Sequence, residues 1–560
     1  MNIAQFDSLF KLDYLNSFVI LSIFIFTALI IIYSIRFMKN KPNLFQYYLW
    51  IILTALSSIG AVLANNLILL LVFWGFLGLT FYLLINMGNK DSDKVAKKTF
   101  IIIGGSDCLM LLGIAIIFYL TGTYQMDKIN LAVGSSHLTV LAFLCLAIAS
   151  FAKAGAMPFH SWIPDCSESA PLPVVAFLPA ALDKLLGIYL LARICLNLFL
   201  MNQAMNIFLM LIGAFTIVAA VMMALVQHNL KRLLGYHAVS QVGYMVLGIG
   251  TGIPIGIAGG IFHMLNNTIY KSCLFLTGGN VESQTKTSQL DQLGGLAKIM
   301  PITYLSCLIA SLSISGVPPL NGFVSKWMVY QGIIQGVKGH TSQVAGLISL
   351  LCLVAAMIGS ALTLASFMKL THATFLGQRV NGLTSERVKE VSWKMWLPCI
   401  ILAGICVLFG IFAFQIPLRY FILPALATRY SLLATDFPGF WSPGLATMLI
   451  IAGLILGLII FNLSKLKSSF RQDSPFIGGE TAVLEESRVS GTEFYNTVKE
   501  INILSKIYKL AEAKFFDIYD QGKGLTFWIT NPLRNLHNGI LPTYLVWCLL
   551  GMIIMFFVLR

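Results

Sequence analysis

An all-α integral membrane protein is what this sequence predicts, on three observations. Of its 560 residues, 58% are hydrophobic and only 11% charged, against roughly 25% charged in soluble domains. Apolar runs long enough to cross a hydrocarbon core, on the order of 20 residues per helix, recur from one end of the chain to the other. Each unpaired backbone group in lipid would cost several kcal/mol, so the spanning segments must satisfy theirs internally, as helices. About 14 spans are expected at this length per span.

In order, the spans are expected near 16–37, 46–64, 65–88, 99–121, 138–157, 171–197, 204–227, 233–250, 255–279 and 301–317, then a run over 323–377 holding more than one element, then 394–415, 442–464 and 541–559. The first run, NSFVILSIFIFTALIIIYSIRF, exceeds the ~7–15-residue apolar core of a signal peptide and has no small-residue cleavage site after it. It reads as a retained anchor. Short loops hold Arg36, Lys39 and Lys41, then Lys90, Lys94, Lys97 and Lys98, then Lys231 and Arg232. By the positive-inside rule these face the cytoplasm, and because each cluster follows an odd number of spans, the N-terminus faces outward. Arg379, Arg387, Lys389 and Lys394 fall on the wrong side of that scheme, so a span near 323–377 is miscounted or broken.

Between 465 and 496 the sequence turns polar, a loop outside the membrane. After it Val498, Ile501, Leu504, Ile507, Ala511, Phe515 and Ile518 recur at three and four residues, the pattern of an amphipathic helix lying on a surface. About 24 residues give that helix roughly 36 Å at 1.5 Å per residue.

The net charge of +14 reads as orientation in the bilayer rather than as a nucleic-acid surface. Nine of the ten cysteines lie inside apolar runs, with no CxxC or CxxH spacing, and are expected to pack rather than hold a metal or a disulfide frame. Neither GxGxxG nor GxxxxGK(S/T) occurs. No cofactor is therefore expected in this chain, and any redox chemistry linked to it belongs to another subunit.

Charges inside the apolar runs are the candidate functional residues. Lys153, Lys184, Lys271 and Lys369 lie within them, with Asp107, Asp183, His263 and His372. An ionised group at the bilayer centre costs about 2.5–3.5 kcal/mol on insertion scales, so each needs a partner, water or a function. Several together suggest a hydrated path for proton or cation hopping. Desolvation favours the neutral amine of a buried lysine and a nearby carboxylate favours the ammonium, so a moving carboxylate switches the lysine between holding and releasing a proton. Histidine titrates near neutral pH and can bridge lysines. Asp107 is the expected partner of Lys184, because Asp183 is its neighbour and adjacent helical residues point about 100° apart. Duller accounts compete: Lys153 could snorkel to the interface, the histidines could be satisfied packing groups, and Arg193, Lys231, Arg232 and Lys326 read as markers of helix ends.

AGAMPFHSW and SGVPPLNGF echo each other, with Gly155 and Pro158 in one and Gly316 and Pro319 in the other, each at the end of an apolar span. Paired breaks of this kind point to a repeat-built transporter with sites near the midplane. A solute transporter of another class would instead present a substrate-shaped pocket, and a plain membrane strut would conduct nothing.

FAKAGAMPFHSWIPDCSESAPLPV, GIYLLAR, LVQHNLKRLLGYHAVSQVGYM, FHMLNNTIYKSCLFLTGG and SISGVPPLNGFVSKW strongly resemble the antiporter-like membrane subunits of complex I, of Mrp-type cation/proton antiporters and of energy-converting membrane-bound hydrogenases. The resemblance covers about residues 60–380. It implies two inverted five-helix repeats with broken helices, and a line of Lys, His and acidic residues across the membrane interior. Carried over, Lys184, Lys271 and Lys369 fall in lysine-bearing helices, and Asp107, His263, Lys153, Glu168 and Pro171 in matching segments; Pro158, Pro171 and Pro319 mark the helix breaks. The organisation expected is N-terminal helices over 1–98, a first antiporter-like half over 99–250, a second over 251–415, peripheral helices over 416–464, the loop and lateral helix over 465–540 and a last span over 541–560.

Several residues depart from the family pattern. Gly75 stands where a glutamate usually follows the tryptophan, Lys184 sits one place early relative to GIYLLAR, Pro179 and Asn267 replace histidines, and about two helices before Trp74 are missing. Either Asp107 or Asp183 has taken over the missing carboxylate's task, or the N-terminal half is scaffold. The tail, with PFIGGE, SGTEFYNTVKE and LHNGILPTYLVWCLLGM, looks most like the hydrogenase-linked branch. The resemblance then implies a proton-translocating or Na+/H+-exchanging subunit of a redox-driven complex in the cell membrane, alongside other membrane subunits and a peripheral redox arm whose Fe–S clusters and Ni–Fe or flavin lie in those partners.

Overall fold

Helix ends in this chain are set by local capping, and the first shows how. In the computed structural model, which describes residues 9–89, 91–339, 342–378, 388–427, 429–430, 443–463, 492 and 495–559, α1 (Tyr14–Phe37) starts at Asp13. Its carboxylate accepts from the amides of Leu15 and Asn16, and the Asn16 side chain accepts from the Asp13 amide in return. Single helices α2 (Leu44–Leu63), α3 (Leu67–Ile85) and α4 (Ser92–Thr121) follow. α5 (His137–Ala154) stops at Gly155, and after a turn the short α6 (Trp162–Ser169) continues. α7 (Leu172–Leu198) has α-helical Asp183–Arg193 between two π-helical stretches, Leu178–Leu182 and Ile194–Leu198. Next come α8 (Gln203–Leu225), α9 (Leu230–Gly250) and α10 (Pro254–Thr285). α11 (Pro301–Ser315) stops at Gly316 and α12 (Asn321–Gly339) resumes, followed by α13 (Gln343–Leu376), α14 (Trp393–Ile411) and α15 (Pro443–Leu463).

Side-chain and backbone contacts at the helix ends define two faces of this unit, which runs to Ile501. At one face Lys11 pairs with Asp127 at 3.1 Å, Arg193 with Asp13 at 2.6 Å, and Leu131–Ala132 forms a short parallel pair with Phe199–Leu200. At the other, Lys98 pairs with Asp165 at 2.8 Å, Arg232 with Glu168 at 3.1 Å and Lys231 with Glu282 at 3.1 Å. This second, basic face also has a recess of about 1140 Å³ lined by Arg36, Lys39, Lys41, Lys231 and Lys389. The described members of the clusters expected to share a side therefore do, and Lys90 lies outside the described residues.

The misplaced downstream charges are explained by the interruption at Gly316. α11 and α12 make one broken crossing, not two, so α13 returns the chain to the basic face, where the Lys389 amide donates to Gln284 and Glu390 accepts from the amides of Ile302 and Thr303. Arg379 and Arg387 lie outside the described residues. Because α5 approaches its break from the Asp13 face and α11 approaches its own from the basic face, the two interrupted segments run in opposite directions, as inverted repeats require.

Among the described residues, eleven helices are long and apolar enough to cross a membrane. The interrupted α11–α12 pair, α9 and α10 supply the remaining expected crossings. α9 and α10 are too polar to read as lipid-facing spans, and they are almost entirely buried; α7 is buried at every residue but Asn197. Helices screened from lipid by their neighbours can carry polar residues at little cost.

The second unit, from Asn502, holds α16 (Asn502–Glu512), α17 (Ile518–Leu536) and the apolar α18 (Leu541–Val558). One continuous amphipathic helix was the expectation over 498–518. It is broken at Ile501, which takes extended backbone after the short helix Asn496–Glu500, and again at 513–517, where Lys514 takes a left-handed φ of 59° and Asp517 caps the next helix by accepting from the Tyr519 amide. The predicted 465–496 loop lies almost wholly outside the described residues.

Candidate functional site

Both helix breaks are built on a left-handed glycine, Gly155 at φ 81° and Gly316 at φ 82°. Each break seats an amine. A Cβ at Gly155 would lie 3.9 Å from Lys184 Nζ, and one at Gly316 would lie 3.8 Å from Lys326 Nζ. Lys326 donates to the Ile314 carbonyl at 2.8 Å, one of the acceptors a helix leaves free where it ends. Pro158 and Pro319 lie in the turns after these glycines, whereas Pro171 stands at the start of α7. Lys326 was expected to mark a helix end; it is buried at 2% exposure, because α12 begins at Asn321 in the middle of a broken crossing.

The remaining lysines extend from these breaks. Lys153, fully enclosed, points its amine at the Trp74 carbonyl at 3.4 Å, over the Trp74 ring at 4.7 Å and the Phe81 ring at 5.0 Å. It does not snorkel. It lies in the field of Asp107 and Asp183. Lys184 and Asp183, both at 0% exposure, form an ion pair at 2.8 Å. This corrects the expected Lys184–Asp107 pairing. Asp183 and Lys184 open the α-helical stretch Asp183–Arg193, so their side chains do leave the helix about 100° apart, but the flexible four-carbon lysine stem lets the amine fold back onto the neighbouring carboxylate. Asp107, half-buried, lies in the field of Lys153 instead. Gly75 faces away from this cluster: it is exposed, and a Cβ there would meet nothing within 4 Å.

Across the middle, Lys271 donates to the Leu234 carbonyl at 2.8 Å between the rings of Phe275 and Phe367, and feels the charge of Lys184. His263 reaches Ser325 at 2.9 Å through Nδ1 and Gln241 at 3.1 Å through Nε2. Lys326 lies 4.7 Å above the Tyr244 ring. His237, which sequence reading did not single out, contacts Ser366 at 2.7 Å and lies in the field of Lys271, Lys326 and Lys369. The missed signal was the i, i+4 spacing of His237 and Gln241, which puts both on one face of α9.

Lys369 and His372 stand at the edge of this arrangement. The Lys369 amine donates to the carbonyls of Leu225 and Gln227 at 2.7 and 2.8 Å, at the basic-face end of α8; a cation there complements the helix C-terminus. His372 is half-buried one turn on, opening the π-helical His372–Leu376. Glu168 is held at the basic face by Arg232.

The NADH:quinone oxidoreductase/Mrp antiporter transmembrane family matches residues 64–359. A Na(+)/H(+) antiporter protein of Staphylococcus epidermidis, the A1 subunit, is 30% identical over 403 residues, covering 69% of this chain and 50% of that one. Its counterpart in the Na(+)/H(+) antiporter of Alkalihalophilus pseudofirmus is 29% identical over 508 residues, 85% of this chain and 62% of the relative. The chain thus spans about half to two-thirds of the length of these curated relatives. Among solved structures, the Mrp complex from Dietzia sp. DQ12-45-1b has a chain with TM-score 0.68 and 22% identity, covering 76% of this chain and 85% of that one. The membrane-bound sulfane sulfur reductase, an archaeal respiratory membrane complex, has one with TM-score 0.77 and 21% identity, covering 98% and 89%.

Proposed function

The chain belongs to the NADH:quinone oxidoreductase/Mrp antiporter transmembrane family, and from that premise we propose that this multi-pass membrane protein relays protons, or exchanges them for sodium, as one subunit of a larger membrane complex. The observation that carries the proposal is the set of fully or nearly fully buried amines, Lys153, Lys184, Lys271 and Lys326, strung through the innermost helices with Asp107, Asp183, His237 and His263 between them. Buried charges of this number are too costly to be packing. Each lysine has either a carboxylate or a backbone carbonyl at its amine, so a shift of Asp183 or Asp107 changes which amine holds a proton. Lys184, Lys271, Lys153, Asp183, Asp107 and His263 form the proposed relay, and Lys369 with His372 its edge at the basic face.

The finer proposal is a redox-driven assembly, with electron transfer in a peripheral arm shifting this subunit's charges. Any Fe–S, Ni–Fe or flavin group would reside in partner subunits. The hydrogenase-like tail motifs support this, as does a fold correspondence extending over nearly the whole chain. The Na(+)/H(+) antiporter relatives favour a second reading, exchange without a redox arm. Proton and sodium uptake by reconstituted vesicles, with Lys184→Ala and Lys271→Ala, tests the relay: both variants are expected to abolish coupled movement, and normal uptake in both would refute it. Uptake that proceeds without an electron donor favours the second reading.

A further inference from the structure

The recess on the basic face is walled by stretches far apart in sequence: the turn between α1 and α2, the ends of α3 and α10, the start of α7 and the residues before α14. Six cations stand on its wall, Arg36, Lys39, Lys41, Lys231, Lys286 and Lys389, against two acids. Both acids are already engaged. Glu282 holds Lys231 at 3.1 Å, and Glu390 accepts from the amides of Ile302 and Thr303 at 2.9 and 3.2 Å. Lys286 donates to the Ser283 carbonyl at 2.7 Å. The side chains of Arg36, Lys39, Lys41 and Lys389 are left with no anionic partner among the described residues. The positive-inside rule asks only that basic residues lie in loops on this side. It does not gather them around one recess of about 1140 Å³, beyond the roughly 300–1,000 Å³ of ordinary ligand pockets. Asn43 and Ser392, which precede α2 and α14 on the same wall, give those helices no side-chain cap, so two positive helix ends add to the field of the cations.

We infer that this recess binds the phosphate headgroup of an anionic phospholipid. Arg36, Lys39, Lys41 and Lys389 supply the charge, and a phosphodiester accepts from several such donors at once. Its place in the fold favours a lipid over a soluble anion. The walls are the ends of membrane crossings, the level at which the chain leaves the hydrocarbon, and basic pockets between helices at that level on the cytoplasmic side suit lipid headgroups. Trp50 on the wall is a residue type that settles at this boundary. Gln46 and Trp50 face the recess from α2, while the adjoining face of the same helix exposes Phe45, Leu49, Ile52 and Leu56. Acyl chains lying along that apolar face would deliver the phosphate to the cations. The site is independent of the relay, which lies deeper in the bundle.

Native mass spectrometry of the purified protein, titrated in detergent with dioleoyl phosphatidylglycerol or dioleoyl phosphatidylcholine, tests this. The anionic lipid is expected to bind the more tightly. Lys39→Gln/Lys389→Gln removes two of the four free cations from separate stretches, at exposed positions, and leaves Arg36 and Lys41 to orient the chain. It is expected to weaken phosphatidylglycerol binding about twenty-five-fold, since each basic residue near an anionic lipid surface contributes about fivefold. Lys94→Gln/Lys97→Gln takes the same charge from the same face outside the recess and is expected to leave binding unchanged. Equal losses in the two variants, or equal binding of the two lipids, would overturn the site and leave only diffuse attraction to an acidic bilayer. Displacement of the lipid by inorganic phosphate at matched concentration would overturn the lipid in favour of a soluble anion. A structure of the intact complex with an acidic segment of a partner subunit filling the recess would overturn it in favour of protein docking.

Discussion

The ammonium of Lys184 lies 2.8 Å from the carboxylate of Asp183, its immediate neighbour in sequence, and neither side chain has any exposed surface. A buried ion pair is weak evidence for stability, because desolvating both charges offsets their attraction, but removing one partner strands the other. Asp183→Asn is therefore expected to destabilise the protein by about 3–5 kcal/mol. The double variant Asp183→Leu/Lys184→Met is expected to be no less stable than the wild type. Thermal unfolding in detergent checks this. A double variant as unstable as the single one would mean that the pair holds the fold together, and with it the reason for assigning the pair to transport would go.

Lys153 and Asp107 make a second such test. The lysine amine is wedged between the Trp74 and Phe81 rings, and it feels the charge of Asp107 more strongly than that of Asp183. Residues that share one interaction couple by about 0.5–3 kcal/mol in a double-mutant cycle. The losses of proton movement in Asp107→Asn and Lys153→Met are therefore expected to be strongly non-additive, and each alone is expected to match the double variant. Simple additivity would show that Asp107 does not act through Lys153.

What the sequence disclosed and what it concealed follow from the same physics. Lys153, Lys184 and Lys271 were legible because a charge in an apolar run has no cheap explanation, and the crossings were legible because lipid demands apolar helices of one length. The Asp183–Lys184 contact was not, since the argument against it took each side chain's direction at its base and left out the reach of the flexible lysine stem. Lys326 was hidden by its place beside a Gly-Val-Pro-Pro break, where a basic residue ordinarily signals the membrane surface; only the three-dimensional fact that α11 and α12 form one interrupted crossing puts it inside. His237 and Gln241 were hidden in a helix whose polarity made sense only once α9 was found enclosed by its neighbours.

Restoring the family's glutamate at position 75 is expected to fail. Gly75 lies on the exposed side of α3, with Trp74 turned inward instead, so the new carboxylate would face lipid rather than Lys153. A charged side chain in that environment costs about 2.5–3.5 kcal/mol on insertion scales. Gly75→Glu should lower the yield of folded protein and leave proton movement per folded molecule no higher than wild type. Faster movement would show that position 75 reaches the lysine line after all and that Asp107 has not replaced it.

The two break glycines separate backbone strain from the seating of the amines. Gly155 and Gly316 share a left-handed conformation, which costs a side chain about 1–2 kcal/mol. Their neighbours differ. A Cβ at Gly155 would come within 1.9 Å of the Ile163 side chain, while one at Gly316 would meet only the flexible Lys326 stem, at 3.1 Å. Gly316→Ala is therefore expected to lose about the backbone cost alone, with a lowered Tm and folded protein still recovered, and Gly155→Ala to lose clearly more. Adding Ile163→Ala to Gly155→Ala should recover part of the difference, because it removes the atoms in the way. If the two glycine variants lost equal stability and Ile163→Ala recovered nothing, the asymmetry between the breaks would be wrong, and with it the view that Lys326 is held by its carbonyl acceptor rather than by tight packing.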